Sequence, residues 1–227
     1  MNLPALSAVA LMFVGAAQAL AADAPPSSVF DLHDWKLQIP GPKDIKQLQN
    51  YASKYFYLDG HKEMCFWLDA AEKGTTPSAK YVRSELRHLP NWKASEDHSL
   101  SAEFHVDCHL KPDKVTVVQI HGITEQDKDA PPLLRVAVNN GDLVAVVQNG
   151  NERHENDALM LKKNLGDAPV TIDVAVKAGQ LTISLDGQAK ITRSLAFWKY
   201  LNYFKAGCYP QATAGTGLVM FRKLTAN

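Results

Sequence analysis

Beyond residue 80 the apolar side chains return at every second position, and that period commits the chain to pleated strands with one dry and one wet face. The cleanest case is Leu100 to Leu110. Leu100, Ala102, Phe104, Val106, Cys108 and Leu110 point one way, and Ser101, Glu103, His105, Asp107 and His109 the other. Tyr81–His88, Val115–His121, Leu133–Val138, Leu143–Gln148, Thr171–Lys177, Leu181–Leu185, Ala189–Arg193 and Gly217–Leu224 read as further strands. Asn139-Asn140-Gly141-Asp142, Ala178-Gly179 and Asp186-Gly187 separate some of them with residues that tolerate positive φ, as tight hairpin turns demand. Upstream, Asp31 to Pro40 alternates well enough for a first strand, while Ile45, Leu48 and Ala52 sit at the spacing of a short surface helix within residues 43–54. About nine or ten short strands and few helices point to an all-β sandwich of two antiparallel sheets, of the jelly-roll kind.

A chain of 227 residues suffices for one such core, so residues 22–227 are expected to form a single domain. Residues 1–21 read as a signal peptide: they carry no charge, and an apolar run from Leu6 to Gly15 leads into small residues around Ala19 and Ala21. That run is too short to span a bilayer. The expectation is a secreted or periplasmic monomer with no membrane attachment once the leader is removed. Lys plus Arg and Asp plus Glu balance at 24 each, so no overall charge favours nucleic acid, although a local basic cleft would be invisible in that sum. Export permits a disulfide, but Cys65, Cys108 and Cys208 allow at most one intrachain pair. Sequence alone leaves the pair open; Cys65 with Cys108 is the expected one, because Cys208 lies inside the aromatic stretch 203–211. Three scattered cysteines without close spacing do not suggest a metal site.

Three strands place polar groups on faces that an ordinary sandwich would merely solvate. Arg83, Glu85 and Arg87 alternate along one, Gln119 and His121 flank Ile120 on a second, and Tyr203, Lys205, Gly207 and Tyr209 share one side of the third. Each has an ordinary explanation, such as a same-face ion-pair row for Arg-x-Glu-x-Arg. Together they suit β-elimination on a 1,4-linked polyuronate, whose carbon-5 proton becomes acidic only when the neighbouring carboxylate is neutralised. Arg83 supplies positive charge and Gln119 an amide donor to the developing enediolate. His121 accepts a proton near neutral pH, and Tyr209 protonates the leaving oxygen at carbon 4 or, in a syn elimination, also serves as base. The reaction requires no metal or other cofactor.

Arg83-Ser84-Glu85-Leu86-Arg87, Gln119-Ile120-His121 and Tyr203-Phe204-Lys205-Ala206-Gly207-Cys208-Tyr209-Pro210-Gln211 resemble, in this order, the three signature segments of polysaccharide lyase family 7, the alginate lyases. The resemblance runs from about residue 28 to the C-terminus. It implies a β-jelly roll with a concave substrate cleft and an acidic polysaccharide, alginate, as partner. It also implies Arg83, Gln119, His121 and Tyr209 as catalytic residues, and Arg87, Lys205, Tyr203 and Gln211 as substrate-binding ones. Glu85 would hold the two arginines. Gln-Ile-His is associated in the family with guluronate-containing blocks. Cys208 and Pro210 depart from the family's usual Asn; Cys208 is expected to face inward, and Pro210 to end the strand. The competing expectations are a lyase acting on another polyuronate such as glucuronan, and a non-catalytic carbohydrate-binding module on the same architecture.

Overall fold

The computed structural model describes residues 24–41, 44–73 and 80–227, so the leader expected over residues 1–21 lies outside the described residues. Among the described residues, fourteen strands build a jelly roll of two antiparallel seven-stranded sheets. The site-bearing sheet has the order β1 (Trp35–Gln38), β4 (Ser84–His88), β13 (Leu201–Pro210), β6 (Lys114–Ile123), β7 (Asp129–Asn139), β8 (Asp142–Gln148), β9 (Asn156–Lys162). The facing sheet runs β12 (Gln188–Ser194), β11 (Gln180–Leu185), β10 (Val170–Lys177), β5 (His98–Lys111), β14 (Ala214–Ala226), β3 (Met64–Asp69), β2 (Phe56–Leu58).

Alternation built most of this directly. On β5, Leu100, Ala102, Phe104 and Leu110 are buried while Ser99, Asp107 and His109 are exposed. Phe104 and Phe66 both pack on Phe221, with ring centroids 5.8 and 5.5 Å apart, and Leu86, Ile120 and Phe204 come from the opposite sheet into the same core. Burying each such side chain contributes roughly 1.5–3 kcal/mol. The three expected turns form with left-handed pairs, for example Asn140 at φ 50° and Gly141 at φ 77° between β7 and β8.

Of the helix expected over residues 43–54, the described residues 44–54 form none. Ile45 instead exchanges backbone hydrogen bonds with Leu37 at 2.9 and 2.8 Å, and Leu48 is buried from a non-helical segment. Pairing with β1 outweighs a helical spacing carried by only three residues. The Cys65–Cys108 pairing is also overturned: all three thiols are free. Met64, Phe66 and Leu68 of β3 point into the core, so Cys65 between them points to the outer face, where its Sγ lies 3.5 Å from the Glu63 carbonyl. Cys108 faces inward with the core residues of β5.

The decisive irregularity lies in β13. Between Ala206, paired with Val118, and Tyr209, paired with Thr116, Gly207 and Cys208 oppose the single Val117 of β6, which is a β-bulge. Gly207 has φ 149°, and a β-carbon there would lie 2.5 Å from the Ser84 carbonyl and 2.7 Å from Glu85 Cα. Only glycine lets β4 and β13 approach this closely. Gly207→Ala is therefore expected to destabilise the fold by about 2 kcal/mol or more and to cut activity by displacing Glu85 and Tyr209. Thermal melting together with steady-state turnover checks both effects.

Candidate active site

β4, β13 and β6 lie side by side, and their registers bring the expected residues together: Arg87 pairs with Lys205, Glu85 with Gly207, Lys205 with Gln119, and Tyr203 with His121. At the centre is Glu85, with no exposed surface. Its Oε2 lies 2.5 Å from Lys205 Nζ and 3.3 Å from Arg83 Nη1, and its Oε1 accepts a 2.5 Å hydrogen bond from Gln119 Nε2. Burial alone would raise this carboxyl's pKa, but the charges of Lys205 and Arg83 hold it below the ordinary carboxylate value. Lys205 is itself buried. Loss of water pushes its pKa down to about 8, against the pull of Glu85. Its Nζ also donates to Gln38 Oε1 at 2.8 Å, and Gln38 in turn donates to Asp44, which pairs with Lys36 at 2.7 Å.

Two aromatic–cation pairs flank this centre. The Arg83 guanidinium carbon lies 4.1 Å from the Tyr209 ring centroid, and that of Arg87 lies 4.1 Å from the Tyr203 ring. Tyr203 also stacks on His121, with centroids 5.3 Å apart and planes 19° from parallel. Burial raises the Tyr203 phenol's pKa to about 12; it raises that of Tyr209 too, with Arg83 and Arg135 pulling the other way.

His121 Nδ1 lies 2.9 Å from the Gly122 carbonyl, which can only accept, so Nδ1 carries the proton and Nε2 is the free basic nitrogen. Nε2 lies 3.7 Å from Asp129 Oδ1, and Asp129 is also paired with Arg153 at 2.5 Å. Burial, then the positive charge of Lys205, pushes the imidazole pKa down to about 4. The ring is thus neutral and able to take a proton across the ordinary pH range.

Three expectations change on these contacts. Glu85 holds Arg83 but not Arg87, whose guanidinium donates to the carbonyls of His88 and Leu89 and to Asn91 Oδ1 at 2.7–2.8 Å. Lys205 is 2 % exposed and committed to Glu85 and Gln38, so its charge is spent on contacts within the protein. Gln211 is buried; its Nε2 donates to the Tyr209 carbonyl at 2.6 Å and its Oε1 accepts from Thr116 Oγ1 at 2.9 Å, so it positions Tyr209 from behind. Gln38, Asp129 and Arg135 escaped the sequence reading. Arg135 is half-buried on β7 in register with Gln119, and its signal was an arginine within the apolar run Leu133–Val138. As expected, Cys208 is buried inward and β13 ends at Pro210.

The sequence model of the alginate lyase family matches residues 30–227. The chain belongs to the alginate lyases of polysaccharide lyase family 7. It is 26 % identical to an alginate lyase from Photobacterium sp., over 83 % of this chain and 81 % of that one. Among solved structures it is similar to family 7 alginate lyase A1-II′ in complex with product (GGG), at 28 % identity and TM-score 0.83, covering 91 % of this chain and 99 % of that one. A variant of the same lyase with one His→Asn and one Tyr→Phe substitution, in complex with substrate (GGMG), is 30 % identical with TM-score 0.79, covering 91 % and 97 %.

In this lyase, removing the charge of Glu85 strands Lys205 without its counter-ion in a dry site. Glu85→Gln is expected to lower the melting temperature and turnover together, since breaking a buried ion pair costs about 3–5 kcal/mol. Glu85→Gln with Lys205→Met should recover most of the melting temperature and little of the turnover. Calorimetry and initial rates on both variants distinguish the two effects.

Proposed function

We propose that this enzyme cleaves 1,4-linked alginate by β-elimination, leaving 4,5-unsaturated uronate ends, with guluronate-containing blocks favoured. The observation that carries the reading is the neutral His121, its Nε2 free of any proton, on the same face as cationic Arg83 and the Gln119 amide. In this mechanism Arg83 and the remaining N–H of Gln119 neutralise the uronate carboxylate, so that charge leaving carbon 5 spreads into an enediolate. His121 Nε2 takes the carbon-5 proton when it lies on the imidazole side of the sugar. Tyr209 donates its phenolic proton to the oxygen departing from carbon 4; for the epimer with both groups on one side, Tyr209 serves both steps, helped by the Arg83 and Arg135 charges that oppose the upward shift of its pKa. Arg87, against Tyr203, holds the carboxylate of a neighbouring residue.

The relative whose His→Asn and Tyr→Phe variant holds substrate supports assigning proton transfer to one residue of each kind. The block preference rests on Ile120, which has no exposed surface and so acts only by packing behind Gln119 and His121. Glucuronan presents the same acidic proton. Absorbance of the unsaturated product on guluronate-rich, mannuronate-rich and glucuronan polymers tests the substrate. Comparable rates on glucuronan would defeat the assignment to alginate.

His121→Ala and Tyr209→Phe should each lower kcat by about 10²-fold or more with the fold retained; parental activity in both would sink the mechanism. The pH profile follows from two depressed pKa values. His121, down to about 4, must be unprotonated to accept, so kcat/KM should fall only in acid below about pH 5. Lys205, down to about 8, must be protonated to offset Glu85, so kcat/KM should also fall above about pH 8. Loss of the alkaline limb in a residually active Lys205→Met variant would assign that limb to Lys205.

A further inference from the structure

Behind Tyr209, two thiols converge from opposite sheets on one gap in the core. Cys208 is fully buried on the inner side of β13, and Cys108 lies on the inner side of β5, partly reached by solvent. Gly217 of β14 is the register partner of Cys108, and its missing side chain leaves the room that the sulfurs take up. The point where a Gly217 β-carbon would sit is 2.9 Å from Cys208 Sγ and 3.5 Å from Cys108 Sγ. Among the described residues, the one hydrogen-bond contact to either sulfur is the weak one of Cys108 Sγ with the Leu218 carbonyl at 3.8 Å. Cys65, on the outer face, is turned away from both.

We propose that Cys108 and Cys208 are a modification site, closing a disulfide that ties the facing sheet to the strand carrying Tyr209. The oxidant is a small-molecule disulfide. The Cys108 thiolate attacks one of its sulfurs and expels one small thiol, and the Cys208 thiolate then attacks Cys108 Sγ and expels the second. The protein loses two protons and two electrons, and the oxidant's sulfur–sulfur bond becomes two thiols. Burial pushes the Cys108 thiol up to about 11 and that of Cys208 well above its ordinary value, so exchange in the folded protein is slow at neutral pH. The bond therefore closes while the chain folds, before the thiolates are buried.

The test refolds the full chain in excess oxidised glutathione and, in parallel, in excess reductant. Each sample is quenched with an alkylating agent in denaturant, then weighed intact and mapped without reduction. The oxidised, active sample should carry one alkyl group, on Cys65, with a peptide joining Cys108 to Cys208; the reduced sample should carry three. Closing a loop of about 100 residues should raise the melting temperature by about 5 °C or more. Cys65→Ser should close the same bond and show the same rise. Three alkyl groups on active protein from the oxidising arm, glutathione left on Cys108, or a bond through Cys65 would each overturn the proposal.

Discussion

A carboxylate without exposed surface is tolerated only when cations and donors replace its lost hydration, and the arrangement around Glu85 follows from that requirement. Lys205 and Gln119 each approach a different oxygen at 2.5 Å, and Arg83 adds a third contact at 3.3 Å. Each of these comes from a different part of the chain, so β4, β13 and β6 must all be in register before the charge is satisfied. The carboxylate thereby orients the amide and the guanidinium that meet the substrate in the proposed mechanism, and it absorbs part of the positive charge they bring. Gln38 extends the same constraint to β1.

Bringing β4 against β13 closely enough for that cluster requires a backbone without a side chain at Gly207, directly opposite Glu85. The bulge at Gly207 and Cys208 changes the pairing partner two residues before Tyr209, and Gln211 then fixes the Tyr209 carbonyl from the other side. Tyr209 is therefore held through its backbone on both flanks, while its ring lies against Arg83. In the proposed mechanism the proton donor is thus positioned mainly by strand geometry.

Alternation made the sandwich legible, because β5, β10 and β11 each have one dry and one wet face. It failed where that contrast was missing: β3 has no exposed residue, β2 has three residues, and β9 leaves Leu159 half-buried and Met160 exposed. Within the site, every residue taken from the three motifs falls on β4, β6 or β13 or directly beside them, because a period of two decides which side chains share a face. What sequence could not show was which of them touch. Lys205 and Gln211 share that face in the pattern, yet both are spent on contacts within the protein. Gln38 and Arg135 reach the cluster through strand pairing, which no local pattern encodes.

The cations that suit the cleft to a polyanion also set the strength of its base. With the ring largely buried and Lys205 close, the imidazole of His121 is held near a pKa of about 4, a weak acceptor in the free enzyme. A uronate carboxylate arriving beside Arg83 brings a negative charge into the same dry space, where Coulombic effects are larger than in water. That charge favours the imidazolium and so strengthens the base at the moment it is needed. The neighbouring Asp129 acts in the same direction, but its pairing with Arg153 limits the effect while the cleft is empty. In the proposed mechanism, substrate binding thus couples carboxylate neutralisation to proton abstraction through charge alone, with no movement of the strands required.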